Sequence, residues 1–321
     1  MKNIYLNIYK PNLSNLQKAK KNIEYNNVIG LPTETVYGLA GNAYSDKAIK
    51  KVFNLKKRPF FNPLIVHFLN LNDLKNDVIF SNIFLKLYKA LCPGPITFIL
   101  KKNPKSKISK FASAGKDTIA IRIPKHTVAR QLLKILKVPL AAPSANISSK
   151  LSPTCATDVV DEFGNKIKLI LNGGRCKIGL ESTIVDLTGK PTILRQGAIA
   201  TETICKILKK KIKTISKLKI IKAPGQLKSH YSPGIPVFMN KTHSGTREAF
   251  ISFGRKFISD KNTFNLSQNS NLNEAANNLY KTMRKIKNKG FSSIAVCKIP
   301  NHGIGKAINE RLKKASYKWK K

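Results

Sequence analysis

The chain has 321 residues, 42% of them hydrophobic, which is enough for two globular units with separate cores. It carries 59 basic against 16 acidic residues, a formal charge of +43. No run of about 18 apolar residues occurs, and the N-terminal MKNIYLNIYKPN lacks an apolar stretch of signal length, so a soluble cytoplasmic protein is expected.

In chain order, the spacing of Leu16, Ala19 and Ile23 predicts an amphipathic helix over Asn15 to Asn26. Val28 to Leu31 reads as a short buried strand running into a turn at Pro32. A helix follows over Asp46 to Asn54, capped by Ser45 or Asp46. Leu64 to Phe68 is a strand, and Phe84 to Cys92 a helix stopped by Pro93-Gly94-Pro95. Six short apolar strands are expected at 96–101, 118–123, 140–142, 168–172, 182–187 and 192–195, with helices over Val128 to Leu136 and Ala156 to Phe163. Several of these strands are joined too closely for helical crossovers, so the sheet should be mixed.

A further helix fits Ile199 to Leu208, and Lys209 to Lys222 is basic and weakly patterned. Ala223 to Pro236 (APGQLKSHYSPGIP) is rich in proline and glycine and reads as an ordered linker or lid. Beyond it, strands at 237–239, 250–253 and 293–298 alternate with an Asn-rich loop at 262–273. Helices fit Glu274 to Asn288, with Gly290 as its stop, and Gly305 to Tyr317. The expected fold is α/β in two units: residues 1–208 as a twisted mixed sheet with flanking helices, and 236–321 as a smaller Rossmann-like α/β domain. Residues 209–235 form the linker between them and cover the site.

The charge excess invites a nucleic-acid reading. Lysine supplies 50 of the 59 basic residues and is spread along the chain, as an A/T-rich coding composition would produce. Tolerance of polyanions follows, with tRNA contact left open. Five cysteines stand far apart without CxxC or zinc spacing and read as reduced thiols. No P-loop, GxGxxG or HExxH motif occurs, so any nucleotide must be held by side chains and hydroxyls.

Such groups are dense in a few blocks. Lys56-x-Arg58 reads as two cations on one face of an extended segment, with Arg58 able to fork onto phosphate. Asn62-Pro63 follows, and an apolar strand ends at His67. Thr33-Glu34-Thr35 stands at a strand end, where α/β proteins place ligand contacts. Arg122 alternates with Ile119, Ile121 and Ile123, so it points away from them and needs an anion. Ala142-Pro143-Ser144-Ala145-Asn146, with Ser148, Ser149, Ser152 and Thr154 behind it, suits close approach to phosphate or ribose. Glu181-Ser182-Thr183 and Arg195 repeat the theme, and His230-Tyr231 lies in the linker, where an aromatic has no core to join.

Taken together, GLPTETVYGLAGNA (30–43), KKRPFFNPLIVH (56–67), PGPITFIL, IAIRIP, APSANISSKLSPT, GGRCKIGLESTIVD and ILRQGAI resemble the ordered signature blocks of the YrdC-type threonylcarbamoyl-AMP synthases. HYSPGIPV and GIGKAINERLKKA resemble the linker and C-terminal domain of the long, Sua-type members. Seven motifs in order, over about residue 10 to 317, make the resemblance specific, although Ala40-Gly41 and the HYSP stretch are local variants.

The resemblance implies synthesis of threonylcarbamoyl-AMP from L-threonine, bicarbonate and ATP, a nucleotidyl transfer with Mg2+ carried on the ATP phosphates. Other proteins would then pass the threonylcarbamoyl group to tRNA. It assigns Lys56, Arg58, Ser144 and Asn146 to catalysis as the KxR and SxN pairs. Thr35, His67, Arg122, Ser182 and the Ala142 backbone would bind threonine. Arg58, Asn62, Thr118, Ser144, Ser152, Arg195 and Tyr231 would bind ATP. An RNA-binding module is the alternative, but it leaves Arg122 and PTET without a purpose. The related hydrogenase-maturation carbamoyltransferases carry acylphosphatase and zinc-finger regions that the chain lacks.

Overall fold

The structure is a computed structural model and describes residues 6–215, 221–227, 230–257 and 260–317. Short polar side chains start the helices. Asn12 accepts the Asn15 amide at the head of α1 (Leu13–Glu24), and Ser45 accepts the Ala48 amide at the head of α2 (Asp46–Lys56). Helix α2 ends on Lys57 in the left-handed region at φ 49°. The remaining helices of the first unit are α3 (Leu71–Leu74), α4 (Asn82–Leu91), α5 (Thr127–Leu136), α6 (Ala156–Phe163) and α7 (Thr201–Leu208).

The first sheet begins with β1 (Ile8–Tyr9), β2 (Ile29–Leu31), β3 (Gly38–Asn42), β4 (Ile65–His67), β5 (Ile96–Lys101) and β6 (Thr118–Arg122). It continues with β7 (Leu140–Ala141), β8 (Ile170–Leu171), β9 (Thr183–Asp186), β10 (Thr192–Arg195) and β11 (Lys213–Thr214). Their order is β1-β8-β2-β3-β7-β4-β6-β5-β9-β10-β11, with parallel and antiparallel neighbours, as the short connections predicted. Strand β11 lies in the stretch expected to be linker and extends the first sheet by pairing with β10; residues 216–220 of that stretch lie outside the described residues.

Two registers create the site. Parallel pairing of β4 with β6 sets His67 beside Arg122 and Ile65 beside Ala120. Antiparallel pairing of β4 with β7 brings Ala142 alongside Ile65, whose carbonyl accepts the Ala142 amide at 3.0 Å. By the two-residue alternation of a strand, Val66 and Ile121 face the main core, with Phe98 and Val185. Ile65 and Ala120 face the other way, into a small cluster with Ile184, Leu194 and Ala223. Ala223 comes from the proline-rich segment, so that segment roofs the face of the sheet carrying His67 and Arg122.

The second unit comprises β12 (Val237–Met239), β13 (Glu248–Ser252), β14 (Thr263–Asn265), α8 (Leu272–Asn288), β15 (Ser293–Val296) and α9 (Gly305–Ala315). Its four strands are all parallel, in the order β12-β15-β13-β14, and it has its own core. Strand β14 lies within the segment expected to be an Asn-rich loop. The unit docks on the first through α8 and α9. Asn277 donates to the Cys176 and Lys177 carbonyls at 2.8 and 2.9 Å, and Arg284 donates to the Leu151 carbonyl at 2.7 Å. A side chain at Gly179 would stand 2.7 Å from the Asn277 backbone, and its φ is +77°, so only glycine permits this approach.

Candidate active site

At the ends of β4 and β6, Arg122 is almost wholly buried and surrounded by acceptors. Its NH2 stands 2.7 Å from Glu34 Oε1, its NH1 donates to Thr35 Oγ1 at 2.7 Å, and its Nε reaches the Gly94 carbonyl at 3.4 Å. Thr35 Oγ1 also lies 2.9 Å from Thr33 Oγ1, so the PTET turn is a cage built around the guanidinium. The anion that Arg122 required is therefore Glu34 in the first instance. Burial raises the Glu34 pKa, but the charge of Arg122 outweighs it and holds the carboxyl ionised below its ordinary value. A guanidinium has five N–H groups; here Nε and NH1 each donate one, and NH2 meets Glu34 as an ion pair without a hydrogen bond, so donors remain for a ligand.

His67, next to Arg122, is buried, and its Nδ1 has no hydrogen-bond partner. Burial and then the neighbouring Arg122 charge push its pKa down to about 3, so the ring is neutral at physiological pH. A neutral imidazole nitrogen facing a cavity can accept from an ammonium or hydroxyl. Ser182 closes this side, with its Oγ 2.7 Å from Thr97 Oγ1.

The second cluster is cationic. Lys56 is the last residue of α2 and Arg58 lies beyond the left-handed Lys57, so the pair is not an extended segment with both cations on one face. The chain reverses between them and the two side chains take separate jobs. Lys56, 1% exposed, donates its Nζ to the carbonyls of Ser144 and of Asn146 (2.6 Å to the latter) and ties down the Ser144–Asn146 loop. Asn146 braces the same loop by donating to the Ile147 and Lys150 carbonyls. Lys56 and Asn146, two of the four residues assigned to catalysis as the KxR and SxN pairs, thus act on the loop backbone, behind the cavity wall.

Arg58 does line the cavity, as does Ser144. Asn62 accepts from Arg58 NH2 through its Oδ1 at 2.6 Å, and the Asn62 and Pro63 carbonyls take Arg58 Nε and NH2. Asn62 thus aims the guanidinium, while its own buried Nδ2 has no partner. Arg195 is held by the Ser182 carbonyl at 3.1 and 3.0 Å and by Ser182 Oγ at 3.1 Å. Burial, then repulsion from Arg195, lowers the Arg58 pKa to about 9. Two buried guanidinium groups lining one cavity favour a polyanion there.

Both clusters open into one cavity of about 40 Å3. Thr35, His67, Arg122, Ala142 and Ser182 line one part, and Arg58, Ser144, Arg195 and Tyr231 the other. Pro224, Gly225 and His230 complete the wall, so the proline-rich segment is the lid of the pocket. Thr118 is not brought in. It starts β6, opposite Lys101, four residues and about 13 Å along the strand from Arg122. Ser152 also stands behind the wall, where it donates to Glu181 Oε1 at 2.6 Å.

Sequence reasoning noted Glu181 only as part of the Glu181-Ser182-Thr183 block, with no role of its own, and overlooked Arg311. Glu181 is the one carboxylate among the described lining residues, and Arg311 of α9 lies 2.8 Å from it. The available signal was the scarcity of acids, 16 in the whole chain. That made Glu34 conspicuous and applies equally to the glutamate of the EST block.

Residues 21–197 match the Sua5/YciO/YrdC family model, described as "Telomere recombination", and residues 199–316 match the threonylcarbamoyl-AMP synthase C-terminal domain. A threonylcarbamoyl-AMP synthase of Pyrococcus abyssi is 35% identical over 310 residues, with 90% of each chain covered. One from Bacillus subtilis is 32% identical over 323 residues, covering 94% of this chain and 92% of the other. The crystal structure of Pyrococcus abyssi Sua5 complexed with L-threonine superposes with a TM-score of 0.87 at 32% identity, covering 94% of both chains. With both models matched in order and relatives aligned along nearly the whole length, the chain belongs to the Sua5/YciO/YrdC family in its two-domain form.

Proposed function

We propose that this chain is an L-threonylcarbamoyladenylate synthase, a nucleotidyltransferase that converts L-threonine, bicarbonate and ATP to threonylcarbamoyl-AMP and pyrophosphate. The observation that supports it most is the polarity of the cavity. One part offers Arg122 and a neutral His67 suited to an amino acid, and the other offers Arg58 and Arg195 suited to phosphates. The threonine carboxylate takes Arg122 donors that Thr35 and Gly94 leave free, and His67 Nδ1 accepts from the ammonium or the hydroxyl.

The amine of threonine, once deprotonated, adds to carbon dioxide derived from bicarbonate. The carbamate oxygen then attacks the α-phosphorus, and the bond to pyrophosphate breaks. No side chain needs to form a covalent bond, so catalysis is positioning and charge stabilisation by Arg58 and Arg195. The loop held by Lys56 and Asn146 presents Ser144 to the nucleotide. Among the described residues no group of three His, Cys, Asp or Glu side chains could hold a metal ion, and Glu181 is already paired with Arg311. This donor set fits Mg2+ held on the ATP phosphates, where it would offset their charge.

Pro224, Gly225, His230 and Tyr231 cover the cavity, and under this reading they would lift to admit substrates and close over the carbamate, which water would otherwise intercept. The product would pass to proteins that modify tRNA in the cytoplasm. The test is pyrophosphate release with each substrate omitted in turn. Release that requires both threonine and bicarbonate supports the proposal, and release from ATP alone refutes it.

A further inference from the structure

One turn of α9 in the second unit reaches the pocket of the first at several points. Arg311 is 1% exposed, and its Nε donates to Glu181 Oε2 at 2.8 Å. The centre of its guanidinium stands 4.9 Å from the ring centroid of Tyr231, within range of a cation–π contact. Tyr231 in turn stacks on Tyr280, whose hydroxyl lies 3.1 and 3.2 Å from the two Glu181 oxygens. Lys314, one turn on, donates its Nζ to the lid carbonyl of Gly225 and lies 2.7 Å from Glu310 Oε1. Glu310 Oε2 accepts the backbone amide of Gln196, next to Arg195.

Glu181 presents a problem for the nucleotide side. A buried carboxylate in the wall of a phosphate pocket repels the ligand unless its charge is offset. Arg311 makes the direct ion pair and does not itself line the cavity, while Arg195, hydrogen-bonded to Ser182, adds a weaker attraction. The same guanidinium supports the face of Tyr231, a non-glycine residue held at φ +62° and therefore in need of outside support. Neither Arg122, Thr35 nor His67 touches Arg311.

We propose that Arg311 is a positioning residue for the nucleotide half of the site, by which the C-terminal unit sets the affinity for ATP without acting on threonine. It neutralises Glu181 and fixes Tyr231 over the phosphate region. This inference rests on the synthase reading and deepens it: the second unit is part of the ATP site.

The test uses the full chain with Arg311→Gln, Arg311→Lys, Glu181→Gln and the double Arg311→Gln/Glu181→Gln variant. ATP and threonine binding are measured separately by calorimetry, with thermal unfolding as the fold control. Arg311→Gln should weaken ATP roughly tenfold or more, while threonine changes by less than about twofold. Arg311→Lys keeps the charge and should recover part of the ATP affinity. Adding Glu181→Gln to Arg311→Gln should also recover part, because the stranded carboxylate is gone.

Equal losses of ATP and threonine affinity, or unchanged ATP binding, would overturn the proposal. If Arg311→Gln does not fold, the Lys and double variants carry the same comparison, and normal ATP affinity in both together with Glu181→Gln leaving it unchanged counts against it. Pyrophosphate release by the unaltered protein, assayed alongside, reports on the synthase reading separately.

Discussion

Arg122 and Glu34 meet at 2.7 Å in a buried cage, and the paired guanidinium lines the cavity. Hydrogen bonds to Thr35 and Gly94 hold the edge of the guanidinium beside the ion pair and so fix the direction of the remaining N–H groups. Lysine has three donors on a point charge and cannot satisfy Glu34, Thr35 and a carboxylate fork together. Arg122→Lys should therefore weaken threonine binding about 100-fold or more, with ATP binding unchanged. Calorimetric titration of threonine checks this, and near-normal affinity would remove Arg122 from the threonine site.

Lys56 has a different task from the one its motif suggests. Its ammonium is buried with repulsion from Arg58 nearby, and both effects push its pKa well below the usual lysine value. Two loop carbonyls hold it in place. Lys56→Met keeps the length and removes the donors, leaving the Ser144 and Asn146 carbonyls buried. The expected cost is about 2 kcal/mol in chemical denaturation, together with loss of pyrophosphate release. A variant with wild-type stability and turnover would contradict the clamp.

Much of this site was legible in the sequence. Arg122 in an isoleucine strand and the Pro-Gly break before Ile96 each carry a local signal, and each lies where that signal places it, while Pro224, Gly225, His230 and Tyr231 of the proline-rich segment line the cavity. Strand β3 was not legible, because Gly-Leu-Ala-Gly-Asn lacks β-branched residues and forms a strand only by pairing with β2 and β7. Lys56-x-Arg58 misled because a two-residue alternation was applied to a helix end, where left-handed Lys57 reverses the chain. Glu181 and Arg311 are 130 positions apart, and no local pattern reports that contact. Thr118 was carried over by motif position alone, and the strand direction takes it away from the pocket.

His67 makes the stability depend on pH. Its folded pKa, about 3, lies below its ordinary 6.5, so between those values the unfolded chain binds a proton that the folded chain refuses. Stability then rises with pH across this window, by at most about 1.4 kcal/mol per unit for one group. His67→Gln should flatten that slope between pH 5 and 6, read from urea midpoints. Parallel curves for the two proteins would mean that His67 is not held neutral.

Gly225 sits in the lid at φ +82°, where a Cβ would stand 2.9 Å from the Tyr231 hydroxyl and 3.0 Å from Arg195 Cδ. Gly225→Ala should cost about 1–2 kcal/mol in stability and displace the lid from Arg195. Under the closed-lid mechanism the KM for ATP rises while the fold survives. Unchanged ATP kinetics would mean that this part of the lid does not need its observed position during turnover.

The central claim is that threonine, carbon dioxide and the α-phosphate of ATP are joined in one pocket. Supplying 13C-bicarbonate with threonine and ATP, and recording the mass of the adenylate formed, tests it directly. The expected product is an adenylate containing threonine and one 13C atom, formed in step with pyrophosphate. An adenylate without the label, or pyrophosphate release with no threonine-containing product, would contradict it.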